Sequence, residues 1–341
     1  MNGKPIIRNL ILSLTGNCNY ACAYCYAAYH PEKRMPVDTA LKAVDMAGES
    51  RQPFILQFTG GEPLLAFSTI RAVTEYVEAK GYPAILQLQT NASLMTETNA
   101  EYLKKHKIAV GVSLDGRPPV NNSLRIMKDG NSASEATVRG IRLLAAKQIP
   151  IGLTCVVTDA NVKSLNGIVQ MAYYLGNVRQ IGFDLLRCQG RGASLHPAAP
   201  QDVGLAMEQC YALAQQLEKA TGIHIRFSQL EKIRKIVSGK ACSFGQCYAM
   251  HGEEAYVTSD GKIYACSSLV GDPAFLLGNV REGMDLEKTK RVGNFIAEAM
   301  QACHECPHLS VCGGGCFTRW QGRAGKAEEE CAMQQTFAKF I

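Results

Sequence analysis

Residues 7–25 read IRNLILSLTGNCNYACAYC: a β-rich run, a glycine, and three cysteines spaced Cys18-x3-Cys22-x2-Cys25. The run 7–15 is the first of six of similar character. The others are FILQFT (54–59), AILQLQT (84–90), IAVGVSL (108–114), IGLTCVV (151–157) and IGFDLLR (181–187). Their Ile, Leu, Val and Phe content and their length suit buried parallel strands. Helical patterns lie between them at 37–49, 68–79, 96–106, 134–147 and 161–175, with caps predicted at Asp38, Ser134 and Asn161. Each gap is long enough for the crossover that parallel pairing requires. Six such units predict an α/β fold, either an incomplete barrel or a doubly wound sheet. In both, chemistry gathers where strands end.

The chain has 341 residues, 47% hydrophobic and 19% charged, which is ordinary for a globular protein. Its 36 basic and 30 acidic residues leave a net +6, and the basic residues are scattered, so nucleic acid is not indicated. No secretory signal opens the sequence, and no apolar run has the length of a membrane span. The expected location is cytoplasmic, and no membrane partner is expected. Composition shifts at QGRGASLHPAAPQ (189–201), a predicted loop, and a helical stretch follows over 201–221. The predicted organisation is a core over 1–195, a helical bridge over 196–240 and a cysteine-rich region over 241–341.

Cysteine is the outlier, at 14 residues. A disulfide scaffold would be small and loop-rich, so this many thiols point to metal or redox chemistry. Three thiolates on one loop can hold three corners of a [4Fe–4S] cubane and leave one iron open. A zinc site is the alternative, with His30 the nearest fourth ligand. The second constellation is Cys247, Gly261-x4-Cys266, Cys303-x2-Cys306-x5-Cys312-x3-Cys316 and Cys331, with Cys242 just ahead of it. Two zinc knuckles are the alternative there, and His251, His304 and His308 are expected to be surface or packing residues. Cys155 and Cys210 are expected in the core. Cys188, with Asp184 and Arg187, lies at the end of the sixth strand, at the predicted active-site rim, as a substrate contact or radical partner.

The first motif, with Tyr24 before its third cysteine, resembles the signature of the radical S-adenosylmethionine (SAM) superfamily. Gly60-Gly61-Glu62-Pro63 after the second strand is similar to the GGEP loop that contacts the SAM amino group there. Gln89-Thr90-Asn91 and Ser113-Leu114-Asp115-Gly116 resemble the QTNG and SLDG segments of the sulfatase-maturase and peptide-maturase branch. The resemblance implies a partial (β/α)6 TIM-like barrel with a C-terminal SPASM domain. It implies SAM and three [4Fe–4S] clusters as cofactors. Glycines 60 and 61 would let the backbone approach SAM, and the Glu62 carboxylate would accept from its ammonium. Tyr24, Asn91, Ser113 and Asp115 join the implied SAM site. Arg125 is either a SAM contact or a solvated loop arginine. Cys247, Cys266 and Cys316 would hold the first auxiliary cluster, with Cys242 a candidate fourth ligand. Cys303, Cys306, Cys312 and Cys331 would hold the second.

The implied activity is SAM cleavage to a 5′-deoxyadenosyl radical that abstracts hydrogen from a precursor peptide or protein, with a flavodoxin- or ferredoxin-type reductant as partner. Sulfatase maturases carry an Asp base directly after the cysteine matching Cys266, and here that position is Ser267. The expectation is therefore a peptide-cross-linking maturase, by thioether or C–C bonds, over a formylglycine-forming sulfatase maturase. The first strand begins close to residue 6, so a leader would bind the barrel or a separate leader-binding protein. A non-catalytic iron–sulfur or zinc protein for electron transfer or scaffolding is the reading from another class, and a small-molecule substrate is a third.

Overall fold

The computed structural model describes residues 6–321 and 326–341. Six parallel strands, β1 (Asn9–Ser13), β2 (Phe54–Thr59), β3 (Ala84–Thr90), β4 (Ala109–Ser113), β5 (Ile151–Val157) and β6 (Val178–Leu185), pair in chain order without a reversal. A doubly wound sheet needs such a reversal, so the topology is that of an open barrel. The crossovers are α1 (Val37–Gly48), α2 (Phe67–Lys80), α3 (Glu97–Lys105), α4 (Pro118–Leu124), α5 (Ala133–Ala146) and α6 (Asn166–Leu175). In β2, in β5 and in β3 from Leu86 onward, buried and half-buried residues alternate. Leu56, Phe58, Leu153 and Cys155 belong to the buried core, while Gln57, Thr59 and Thr154 alternate with them on the other face.

Four expected features shift. The last barrel strand starts at Val178, three residues early, with a register irregularity opposite Ile151. The cap of α5 is Ser132, whose side chain accepts from the Glu135 N–H, in place of Ser134. Neither Asp38 nor Asn161 caps through its side chain; Asn161 instead accepts from the Thr158 N–H at 2.8 Å.

The remaining chain joins both edges of this sheet. After α7 (Pro200–Thr221), the short β7 (Arg226–Phe227) extends the sheet beyond β6 and leads into α8 (Ser228–Val237). On the opposite edge, β8 (Glu254–Val257) pairs parallel with β1. The antiparallel strands β9 (Lys262–Tyr264), β10 (Leu276–Asn279) and β11 (Gly283–Met284) continue from it. Helix α9 (Leu286–Ala299) is followed by the single turns α10 (Gln301–His304), α11 (Leu309–Cys312) and α12 (Phe317–Trp320). Finally α13 (Glu328–Ala338) packs on α7 and α8, with the Phe337 ring 6.4 Å from Phe183 and 5.6 Å from Phe227.

Helix α5 braces the end of β3. Thr137 donates to the Asn91 carbonyl at 2.9 Å, and Ala92 next to it has φ +59°. A Cβ on Gly140 would lie 1.9 Å from the Ala92 carbonyl oxygen. Backbone cannot yield there as a side-chain tip can. Gly140→Ala should therefore destabilise the protein by about 1–3 kcal/mol or more, seen as a lower thermal midpoint.

Candidate active site

The loop after β1 carries Cys18, Cys22 and Cys25, and backbone pairing fixes its path. Ala21 N–H donates to Ile126 O at 2.7 Å, Ala23 N–H to Leu124 O at 2.8 Å, and Lys128 N–H to Asn19 O at 3.0 Å. The Gly60–Gly61 turn packs beneath it: Gly61 N–H donates to Thr15 O at 2.6 Å and Glu62 N–H to Asn17 O at 2.9 Å. Added Cβ atoms at these two glycines would fall 2.3 Å from Thr15 O and Asn17 O. The glycines thus allow a close approach to the cysteine loop itself.

The three cysteines line a cavity of about 300 Å³. Tyr24, Gly60, Gly61, Asn91, Ser113, Arg125, Asp184 and Arg187 line it too. Eleven of the residues expected from sequence therefore meet at one place. The wall also includes Tyr26, Gln89, Thr154 and Arg191. Arg191 was not anticipated: its Nε donates to Cys22 O at 2.8 Å and its N–H to Cys25 O at 3.0 Å, and nothing in the 189–200 loop sets it apart from a solvated arginine.

Glu62 and Asp115 do not line the cavity; both are fully buried. Glu62 accepts from Leu64 N–H (3.0 Å), Thr90 Oγ1 (2.6 Å) and Asn91 N–H (2.8 Å), so it ties the β2 turn to the end of β3. Asp115 accepts the Tyr24 hydroxyl, Arg125 Nη2 at 3.0 Å and the Val156 N–H at 2.9 Å. The Arg125 Nε is 2.9 Å from its other oxygen, and Arg125 is 5% exposed, so it is not a solvated loop arginine. Asn91 Nδ2 lies 3.8 Å from Cys18 Sγ, and Ser113 accepts from Gln89 at 3.1 Å.

Burial raises the Cys18 thiol to about 12 and the Cys22 thiol to about 11. Such sulfurs become anionic only with a cation at hand, as metal coordination provides. Among the described residues no three His, Cys, Asp or Glu side chains converge on a point suited to a single ion. The thiols stand around a cavity, an arrangement for a group larger than one ion. His30 is committed elsewhere, its ring facing Tyr26 and Tyr256 and its Nδ1 3.2 Å from the Tyr256 hydroxyl. Burial lowers it to about 4.

In the C-terminal region, Cys303, Cys306, Cys312 and Cys331 line one small cavity of about 30 Å³. Cys316 is within electrostatic reach of both Cys247 and Cys266, whose thiols burial pushes up to about 11 and about 12. Cys242 is exposed, as is Cys188, while Cys155 and Cys210 are core residues. His251 and His304 pack beside Phe244, and His308 lies at the surface.

An open parallel barrel with three thiols around a cavity at one end of its strands is suited to hold a metal cofactor there. The radical SAM superfamily pattern matches residues 12–172. The protein MJ0907 of Methanocaldococcus jannaschii is 33% identical over 86% of this chain and 96% of its own length. A cysteine-type anaerobic sulfatase-maturating enzyme of Clostridium perfringens is 25% identical over 92% of this chain and 89% of its length. The solved structure of native anSMEcpe with bound AdoMet and Cp18Cys peptide matches the fold with a TM-score of 0.80, at 21% identity, over 98% of this chain and 97% of that one. The chain belongs to the radical SAM superfamily. Its cofactors are those of that superfamily, SAM and a [4Fe–4S] cluster. No described helix is long and apolar enough to cross a membrane.

Burial raises Glu62 from 4.5 to about 7, against the pull of hydrogen bonds from Thr90, Asn91 and Leu64. The folded chain then holds this proton more tightly than the unfolded chain. The stability this contributes is full below about pH 4.5 and is lost as pH rises through about 7. In urea unfolding of the metal-free protein, the wild type should lose ground to Glu62→Gln as pH rises from about 5 to about 8. A gap that stays constant would show that Glu62 does not titrate in that range.

Proposed function

We propose that the chain is a peptide maturase that oxidises a ribosomally made peptide and forms a cross-link in it, through a thioether or C–C bond. Cys18, Cys22 and Cys25 hold the SAM-binding cluster. Cys247, Cys266 and Cys316 hold one auxiliary cluster, and Cys303, Cys306, Cys312 and Cys331 a second. When bound, SAM and its cluster supply a 5′-deoxyadenosyl radical able to take hydrogen from an unactivated C–H bond.

The chain's own residues do the rest. Asn91, Ser113 and Arg125 orient SAM from the ends of β3 and β4 and from the segment after α4. Asp115 fixes Arg125 and Tyr24 in place without touching the ligand. The barrel wall excludes water from the radical. A peptide enters from the Asp184–Arg187 side, and a flavodoxin- or ferredoxin-type protein delivers the electron. The solved anSMEcpe complex supports a peptide substrate, since that protein holds AdoMet and a peptide together.

Glu254, a buried carboxylate within electrostatic reach of Cys266, does not line the cavity, so the observation that carries cross-linking over formylglycine formation is the lack of a carboxylate directly after Cys266. Ser267 follows it, and its hydroxyl accepts from Tyr26 at 3.3 Å. Among the described residues the carboxylates lining the cavity are Glu32, exposed on the segment before α1, and Asp184. Burial alone would raise the Asp184 carboxyl, but Arg187 and Arg319 hold it down at about 2. A carboxylate so paired is a weak proton acceptor. The 25% identity to a sulfatase maturase favours formylglycine formation as the second reading.

Anaerobic reconstitution should load about twelve irons per chain, the content of three cubanes. Reduction with SAM should then release 5′-deoxyadenosine, and Cys22→Ala should abolish it. With a Cys-containing precursor peptide, mass spectrometry should show the loss of two hydrogens. Replacement of the cysteine sulfur by a carbonyl oxygen would establish the maturase reading of the sulfatase type instead. Zinc in place of iron, with no 5′-deoxyadenosine, would defeat both.

A further inference from the structure

The wall between the cavity and the C-terminal cysteines is a row of alternating charges. Asp184, at the end of β6, accepts from Arg187 Nη1 at 2.5 Å through one oxygen and from Arg319 Nη2 at 2.6 Å through the other. Arg319, on α12, donates onward through Nη1 to Glu330 on α13. The second Glu330 oxygen accepts the backbone N–H of Cys316 at 2.9 Å. The Arg187 guanidinium also sits over the Tyr26 ring, 5.1 Å from its centroid. The side chains of Arg319 and Glu330 are only 11% and 5% exposed.

This row leaves two donors over. Among the described residues, the Nε of Arg187 and the Nε of Arg319 are both buried and have no hydrogen-bond partner. A buried guanidinium N–H facing nothing is costly, so it marks a place where an acceptor belongs. Arg187 is within electrostatic reach of Cys266 and Cys316, and Arg319 of Cys316.

We infer that Arg187 and Arg319, oriented by Asp184 and Glu330, are positioning residues that raise the reduction potential of the site formed by Cys247, Cys266 and Cys316. An iron–sulfur site gains a negative charge when it takes an electron. Cations and N–H donors fixed beside its sulfurs favour that reduced form, and net charge and hydrogen bonding are the protein's means of setting the potential. The row itself holds two cations and two anions, with Lys232 within electrostatic reach of Arg319, Glu330 and Cys316, so removing one member shifts the local charge by one unit of known sign. It also joins the cavity to the site: Asp184 and Arg187 line the former, and Glu330 grips the Cys316 backbone.

The inference rests on the proposed reading of the C-terminal cysteines as cluster ligands. The test is a redox titration of the full-length, anaerobically reconstituted protein, with reduced clusters followed by electron paramagnetic resonance. Arg319→Gln removes a cation and should lower a C-terminal midpoint potential. Asp184→Asn removes an anion and should raise it. Arg319→Lys keeps the charge and should stay closer to wild type than Arg319→Gln. Shifts of the same sign in Arg319→Gln and Asp184→Asn, or no shift in either, overturn the inference. So does equal loss of iron from Arg319→Lys and Asp184→Asn, which marks the row as a structural tie alone. Wild-type protein with no iron beyond the N-terminal site would overturn the cluster assignment itself, before any variant is made.

Discussion

Asp115 has no contact with water, and its charge is tolerable only because three groups meet it. They come from three parts of the chain: the Tyr24 hydroxyl from the cysteine loop, the Arg125 guanidinium from the segment after α4, and the Val156 N–H from β5. Breaking a buried pair by removing one partner typically costs about 3–5 kcal/mol, because the other charge is left uncompensated. This one carboxylate therefore binds the position of the cysteines to the closure of the barrel. The same segment that supplies Arg125 is zipped to the cysteine loop through Leu124, Ile126 and Asn19. The loop is held from above by backbone pairing, from below by the Gly60–Gly61 turn, and laterally by Asp115.

Much of this was legible in the sequence, for identifiable reasons. The strands at 54–59, 84–90 and 151–157 matched because their ends coincide with a change in polarity. The start of β6 was missed because Arg179 and Gln180 look like loop, though Val178 and Gln180 already pair with Ile151 and Gly152 of β5, with Arg179 bulged between them. Helix α4 was not among the expected helices; Pro118 and Pro119 open it as its first residues. Strand β8 is four residues long with a buried Glu254, so its composition gave no warning that it would pair with β1. Residue type located the site but not every side chain's role. Glu62 and Asp115 stood in the right motifs, yet their oxygens are turned to protein donors, and the partners that decide this, such as Thr90 and Tyr24, lie 28 and 91 positions away. The Arg319–Asp184 pair spans 135 positions and could emerge only from the fold.

The cysteine-rich region is woven into the sheet through β8, which lies against the outer side of β1. On the far side, α13 returns to cover the end of β6 with Phe337. The two borders of the barrel are thus both finished by chain from beyond residue 220. A shortened chain ending before β8 would leave β1 with a bare row of N–H and C=O groups, in a strand whose sequence is NLILS. An apolar, unprotected edge of that kind templates pairing with other chains. A fragment that keeps β1 but ends before β8 would be prone to aggregate by strand addition at the element that presents the three cysteines, whatever its capacity to hold iron.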